Sequence, residues 1–198
     1  MDSAVRSFIH RIDAGSTRFP DSYFDFICSN QVFEHIEDLD VVISELARIA
    51  KPSSIQVHLF PTLEVFIDGH TYVPFMHQLP RGMPRRMISR LWYYSGRARF
   101  GATTSSFHAW YAVFAAFLVE DTHYRSWPTI RSAFEQKFYI RRLDKDKLLG
   151  RLQLRSGLKF RLMTKIVQWV PDIVIGRVEL YRSGIALELR KRNGLQRK

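Results

Sequence analysis

The sequence holds a single cysteine, Cys28. That excludes an intrachain disulfide framework and suits a reducing compartment such as the cytoplasm. It also lacks any G-x-G: Gly15 and Gly69 stand alone, so no glycine turn lets the backbone approach a ligand closely. Long hydrophobic runs are missing too. The longest, Ala109 to Val119, is too short to span a bilayer. The first residues, Met1 to Arg11, lack the apolar core of a signal peptide. No internal repeat, low-complexity tract or Ser/Gly-rich linker divides the 198 residues, a length suited to one domain with a real core. The expected setting is cytoplasmic, with contact at a membrane periphery as an extension of it.

Acidic residues are in short supply. Nineteen Asp and Glu face thirty Lys and Arg, for a formal charge of +11. Such a surface attracts nucleic acid, anionic lipid headgroups or phosphorylated substrates without choosing among them. The arginines gather over Arg81 to Arg99, Arg141 to Lys165 and Arg190 to Lys198. In the first cluster, Arg81, Arg85, Arg86 and Arg90 follow a loop rich in aromatics and histidine. They read as solvent-facing helix charges or as an anion site.

The pattern of apolar residues gives strands alternating with helices. Phe8–Ile12 predicts a short strand running into Asp13 and Ala14. Phe24–Ser29 predicts a second, apolar almost throughout and so expected to be covered on both faces, with Cys28 packed in the core. Leu39, Val42, Ile43, Leu46 and Ile49 recur at three- and four-residue steps and predict a helix from Leu39 to Ala50, capped by Asp38 and stopped at Pro52. Ile55–Phe60 follows as a strand. After Pro61 comes an irregular or helical stretch to about Ser126. Helices are then expected from Pro128 through Phe134, from Lys145 to Leu154 and from Lys159 to Val170, the last two broken at Ser156-Gly157. Strands are expected at Phe138–Leu143 and Gly184–Arg190. The alternation implies a doubly wound α/β sheet.

One stretch carries more typed positions than periodicity can use. Phe19-Pro-Asp precedes Phe24-Asp-Phe-Ile, then Val32-Phe-Glu-His35, then Glu45-Leu-Ala-Arg-Ile-Ala-Lys-Pro52. It resembles the middle of a class I S-adenosylmethionine-dependent methyltransferase of the type 11 or UbiE-like subgroup. The resemblance implies a Rossmann-like sheet of order 3-2-1-4-5-7-6 with the last strand antiparallel. Phe8–Ile12, Phe24–Ser29 and Ile55–Phe60 would be its third, fourth and fifth strands. The first two strands would be lacking, as in an N-terminally truncated domain, and a helical insertion would follow the fifth. On this layout residues 1–61 are the later part of the cofactor-binding core, 62–127 a substrate-side insertion or lid, and 128–198 the C-terminal strands and helices.

The same resemblance implies S-adenosyl-L-methionine as cofactor. Asp13 and Ala14 would meet its adenine, and Asn30, Gln31 and Val32 would line its methionine arm. His35, beside Glu34, could act as a general base for a hydroxyl or protonated amine acceptor, or line the cofactor. The loop from Asp68 to Pro80 looks like one found in some members of the family. There His70 and His77 could bracket the acceptor between the apolar walls of Tyr72 and Phe75. Histidines seven apart without a paired acid or cysteine do not define a metal site. The apolar stretch from Phe107 to Val119 suits a buried lid or core helix, or a helix lying at a lipid interface.

Three functions stay open. One is methyl transfer to a small molecule, a lipid-linked intermediate or a glycan precursor. Another is a catalytically silent relative, a partner or regulatory protein, whose missing strands a protein partner would supply. The third is a basic RNA-binding module, ranked last because no glycine-aromatic RNA signature is present.

Overall fold

The Asp38 carboxylate accepts from the Val41 amide at 3.0 Å and starts helix α1 (Leu39–Ile49), as its sequence predicts. Leu39, Ile43 and Ile49 are buried on its inner face. Its Glu45 and Arg48 show why the E-x-x-R pattern goes with Phe-Pro-Asp upstream. Arg48 binds Glu45 with two nitrogens, at 2.8 and 2.7 Å, and Asp21 with a third at 2.6 Å. Glu45 also accepts from the Thr17 amide at 2.7 Å. The forked guanidinium thus ties the entering chain to α1. The Arg48 bonds, opposed by burial and helped by Thr17, hold the Glu45 carboxyl down to about 2.

The computed structural model describes residues 16–67, 69, 73–96 and 106–192. The strand expected at Phe8–Ile12 lies outside them. Four strands form an open sheet: β1 (Phe24–Asn30), β2 (Ala50–Phe60), β3 (Phe138–Arg142) and β4 (Ile185–Lys191), in spatial order β1-β2-β4-β3. β1 and β2 are parallel, and β4 runs antiparallel to both β2 and β3. Among the described residues this reproduces the 4-5-7-6 part of the expected order. The remaining helices are α2 (Met83–Tyr94), α3 (Phe107–Ala116), α4 (Trp127–Glu135), α5 (Asp144–Gln153), α6 (Leu158–Trp169) and α7 (Asp172–Ser183). The class is mixed α/β. No helix among the described residues is long and apolar enough to cross a membrane.

Two expectations are corrected, and one helix is added. Pro52 does not close α1; it lies inside β2, which begins at Ala50. The ladder slips there: Phe24 faces Ala50 but Phe26 faces Ile55, so the intervening residues bulge out and Pro52 owes no ladder amide. β1 is not covered on both faces, for Phe26 is 56% exposed and Cys28 is exposed rather than packed in a core. Helix α7 has no counterpart in the sequence reading. Its apolar Ile173, Val174, Ile175 and Val178 are spread around the helix, so no single stripe marks it.

The main core lies between the sheet and α1 and α4. Phe33, Ile43, Phe60, Ile130, Phe134, Phe138, Leu187 and Leu189 pack there. β2 turns Ser54, Gln56, His58 and Phe60 into this side and leaves Ile55, Val57 and Leu59 half-buried on the other. Those three stand beside Phe26, Cys28 and Asn30 in the register. At the β4 end, a buried charge cluster joins α5 to α7. Lys147 meets Glu179 at 3.2 Å, and Glu179 also receives Arg182 and the Ser183 hydroxyl at 2.7 Å each. Gly184, with φ of 78°, passes over Pro61 so closely that a Cβ would stand 2.5 Å from the Pro61 Cα.

A second apolar cluster gathers Val73, Met76, Trp110, Phe114 and Leu118. It buries Trp110 and Phe114 on one face of α3.

Candidate functional site

β1 ends at the carboxyl edge of the parallel pair, where ligands of open α/β sheets lie. Gln31 takes a left-handed φ of 56°, and its amide still reaches the Leu59 carbonyl at 2.8 Å. That turn exposes Asn30, Gln31 and Val32 and drives Phe33 inward. Phe33 packs against the rings of His58, Phe60 and Phe134, with centroids 5.0, 4.9 and 5.3 Å away. The short 3-10 turn Phe33–His35 follows. Its Glu34 is 1% exposed, while the His35 side chain stands outside.

A strap, Asp121–Arg125, crosses this turn. It leaves the end of α3 through a π turn at Phe117–Asp121, an irregularity often found at functional sites. The His35 Nδ1–H donates to the Asp121 carbonyl, which makes Nε2 the ring nitrogen able to take a proton. Nε2 in turn lies 3.9 Å from Glu34 Oε1. The His123 amide donates to the Glu34 carbonyl at 2.6 Å. Arg125 reaches both the Glu37 carbonyl and, at 3.0 Å, the His123 carbonyl. Burial pulls the Arg125 pKa down, against the pull of Asp38 and Asp40.

The strap also holds the aromatic loop. The Leu63 amide donates to the Arg125 carbonyl at 2.9 Å, and the His77 and Tyr124 rings lie 4.7 Å apart. Phe75, with φ of 61°, is exposed and set edge-on to Phe66 at 4.3 Å. His77 is buried instead of open to an acceptor. So the structure brings His35 and His77 onto one strap. Asp13, Ala14, His70 and Tyr72 lie outside the described residues.

Two further features flank this region. His58 is buried between Ser29 and Gln56, at 2.8 and 3.2 Å, and burial pushes its pKa down to about 4. A neutral ring fits both partners: Nε2–H donates to the Gln56 carbonyl oxygen and Nδ1 accepts from Ser29. The arginine cluster divides. Arg85 turns inward and donates to the Leu79 carbonyl, its pKa lowered by burial. Arg86 and Arg90 line an outer cleft of about 510 Å³ with Met83, Met87, Tyr94 and His108.

Sequence reasoning did not find the strap. Its signal is a polar run, Asp121-Thr-His-Tyr-Arg125, directly after an apolar helix, and nothing in its periodicity marks it.

Residues 3–57 match the model of a family described as a methyltransferase domain. No curated protein matches the sequence. Among solved structures the chain is similar to an S-adenosylmethionine-dependent methyltransferase from Mesorhizobium loti, with a TM-score of 0.43 and 12% identity over 92% of this chain and 68% of that one. It is similar to the YcgJ protein from Bacillus subtilis, with a TM-score of 0.41 and 13% identity over 91% of this chain and 69% of the other. A third is the Haemonchus contortus phosphoethanolamine N-methyltransferase 2, with a TM-score of 0.37 and 10% identity; the alignment covers 89% of this chain and spans 35% of that enzyme.

Proposed function

We propose, from the match of residues 3–57 to a methyltransferase domain family and from the resemblance of the Phe19–Pro52 motif to class I S-adenosylmethionine-dependent methyltransferases, a methyl transfer site at the carboxyl end of β1 and β2. One observation carries this reading. A single strap, Asp121–Arg125, ties the exposed turn after β1 to the loop that bears Phe75 and His77.

The turn suits the methionine arm of the cofactor. Asn30 offers an amide, Gln31 offers backbone at a left-handed bend, and Val32 offers methyl groups, all three exposed. These residues would hold S-adenosylmethionine, with Asp13 and Ala14 assigned to the adenine. The cofactor supplies a methyl group on a sulfonium, which needs an aligned nucleophile more than it needs acid or base. The chain's part is then to orient. Phe33 anchors the turn, the strap fixes the His35 ring, and His35 Nε2 would take the proton of a hydroxyl or ammonium acceptor. Phe75 and Tyr72 would give that acceptor apolar walls, with His70 at its polar end, while the buried His77 packs on Tyr124 of the strap. The acceptor class is a small molecule, a lipid-linked intermediate or a glycan precursor, and the setting is the cytoplasm.

Isothermal titration of the full chain with S-adenosylhomocysteine tests this reading. Binding is expected, weakened about tenfold by Asn30→Ala, the order of one lost hydrogen bond. No binding, or binding indifferent to that change, overturns it.

A second reading is favoured by the half-open sheet face at Phe26, Cys28, Ile55, Val57 and Leu59. Apolar strand faces of this kind are normally covered. A catalytically silent relative whose partner covers that face, and supplies strands, accounts for it. Copurification of a protein that restores S-adenosylhomocysteine binding favours this second reading over the first.

A further inference from the structure

Helix α6 buries none of its side chains, yet it is not a polar helix. Leu158 is 79% exposed and Trp169 is 89% exposed, with Leu162 and Ile166 exposed between them. At α-helical spacing these four fall within an arc of about 80°. Lys159 and Lys165 lie about 20° beyond its two edges. Ile173, at the start of α7, is also exposed. Helix α6 carries Lys159, Arg161 and Lys165 and no acidic residue.

Beside the stripe, between α5 and α6, opens a cleft of about 920 Å³. Arg155, Arg161, Lys165, Thr164 and Gln168 line it with Leu158, and no carboxylate does. A cationic, hydrogen-bonding recess therefore adjoins an apolar ridge on the same helix. Single exposed apolar residues need no explanation, but a contiguous stripe edged by lysines does. The stems of those lysines can lie along the apolar contact while their ammonium groups reach upward to phosphates.

We infer that α6 is the docking element for an anionic phospholipid surface, its Leu158–Leu162–Ile166–Trp169 stripe entering the headgroup boundary and a lipid phosphate seated in the Arg155–Arg161–Lys165 cleft. Charge complementarity selects this occupant. A second copy packed through the same face by a two-fold axis would bring two sets of cations together, on a chain whose formal charge is already +11. An interfacial helix has this composition: leucine and tryptophan on one side, lysine and arginine at the margins. The inference is independent of the methyl transfer reading.

The test is cosedimentation of the full chain with vesicles of phosphatidylcholine alone or with a quarter phosphatidylglycerol. Binding is expected to the anionic vesicles only, to fall with salt, and to shift the Trp169 emission to the blue, a shift absent in Trp169→Phe. The double change Leu162→Glu with Ile166→Glu should abolish it. Its melting temperature should not move, because neither side chain is buried. Lys159→Gln with Lys165→Gln should weaken it by about tenfold or more. Equal binding to neutral vesicles, no binding, or binding untouched by the glutamate pair overturns the inference. So does a dimer by light scattering that the glutamate pair dissolves, which makes the face a contact between copies. Inorganic phosphate bound by the intact chain without vesicle binding overturns it in favour of a soluble phosphate ligand.

Discussion

The guanidinium of Arg125 donates to the main-chain carbonyl of Glu37, a residue 88 positions earlier in the sequence, and with a second nitrogen to its own strap at His123. The two bonds close the strap over the turn that starts α1. Arg125→Ala should cost about 1–3 kcal/mol of stability, since charged hydrogen bonds to carbonyls are lost. It should also weaken S-adenosylhomocysteine binding several-fold by loosening the Asn30–His35 turn. Arg125→Lys should not restore either quantity, because a point charge cannot span both carbonyls as a fork does. Urea unfolding and calorimetric titration read the two effects separately.

His35 is expected to matter to rate more than to affinity. His35→Asn keeps a donor toward the Asp121 carbonyl and removes the nitrogen that takes a proton. If His35 is the base, transfer should fall about 100-fold or more while S-adenosylhomocysteine affinity stays within a few-fold. An unchanged rate assigns His35 to holding the turn alone.

His58 makes stability depend on mild acid. Its folded pKa, about 4, lies below the ordinary 6.5, so between those values the unfolded chain binds a proton that the folded chain refuses. Stability is full above pH 6.5 and should fall as the pH is lowered toward about 4, by on the order of 3 kcal/mol in total. His58→Gln should flatten that slope, whatever it does to stability at pH 7. Thermal melts at several pH values between 7 and 4 decide it.

Glu179 is buried beside Lys147 in the cluster that joins α5 to α7. Burial alone would raise its pKa, but the Ser183 and Arg182 hydrogen bonds and the nearby Lys147 charge together hold it below the usual carboxylate range. Its share of the stability is therefore present above that range and lost as the pH falls below it. Glu179→Ala should cost about 3 kcal/mol at neutral pH, the low end for a broken buried pair, because Lys147 then keeps only Asp144, 3.9 Å away, as a carboxylate partner. Replacing both with apolar residues of similar size, Lys147→Met with Glu179→Leu, should recover most of it.

What the sequence made legible was local. The steps from Leu39 to Ile49 and the cap at Asp38 predicted α1 to within a residue, because its apolar face and its first hydrogen bond are both encoded within a few positions. The Glu45 and Arg48 positions belonged to the motif, but that they pair and tie α1 to the incoming chain is visible only in the structure. β2 was legible as a strand, but its inner face was not. Ser54, Gln56 and His58 are the buried alternation and Ile55, Val57 and Leu59 the half-open one. Hydropathy assigns those faces the other way round, since it does not see the partners that satisfy them, Ser29 on the neighbouring strand for His58 and the Leu46 carbonyl on α1 for Gln56. Of the candidate site, the turn at Asn30–His35 could be read from its motif. The strap could not, for Asp121–Arg125 has neither helical nor strand periodicity, and its position depends on contacts with residues far along the chain.

The strap grips mostly through its main chain. The Asp121 carbonyl, the His123 amide and the Arg125 carbonyl make the bonds to His35, Glu34 and Leu63, while the side chains of Arg125 and Tyr124 add a bond to Glu37 and a ring contact with His77. Any residue at Asp121 or His123 brings the same carbonyl and amide, proline at His123 excepted. Those two positions are thus open to drift: their side chains can be exchanged one after another, presenting new chemistry beside the turn, while the frame that carries them stays in place.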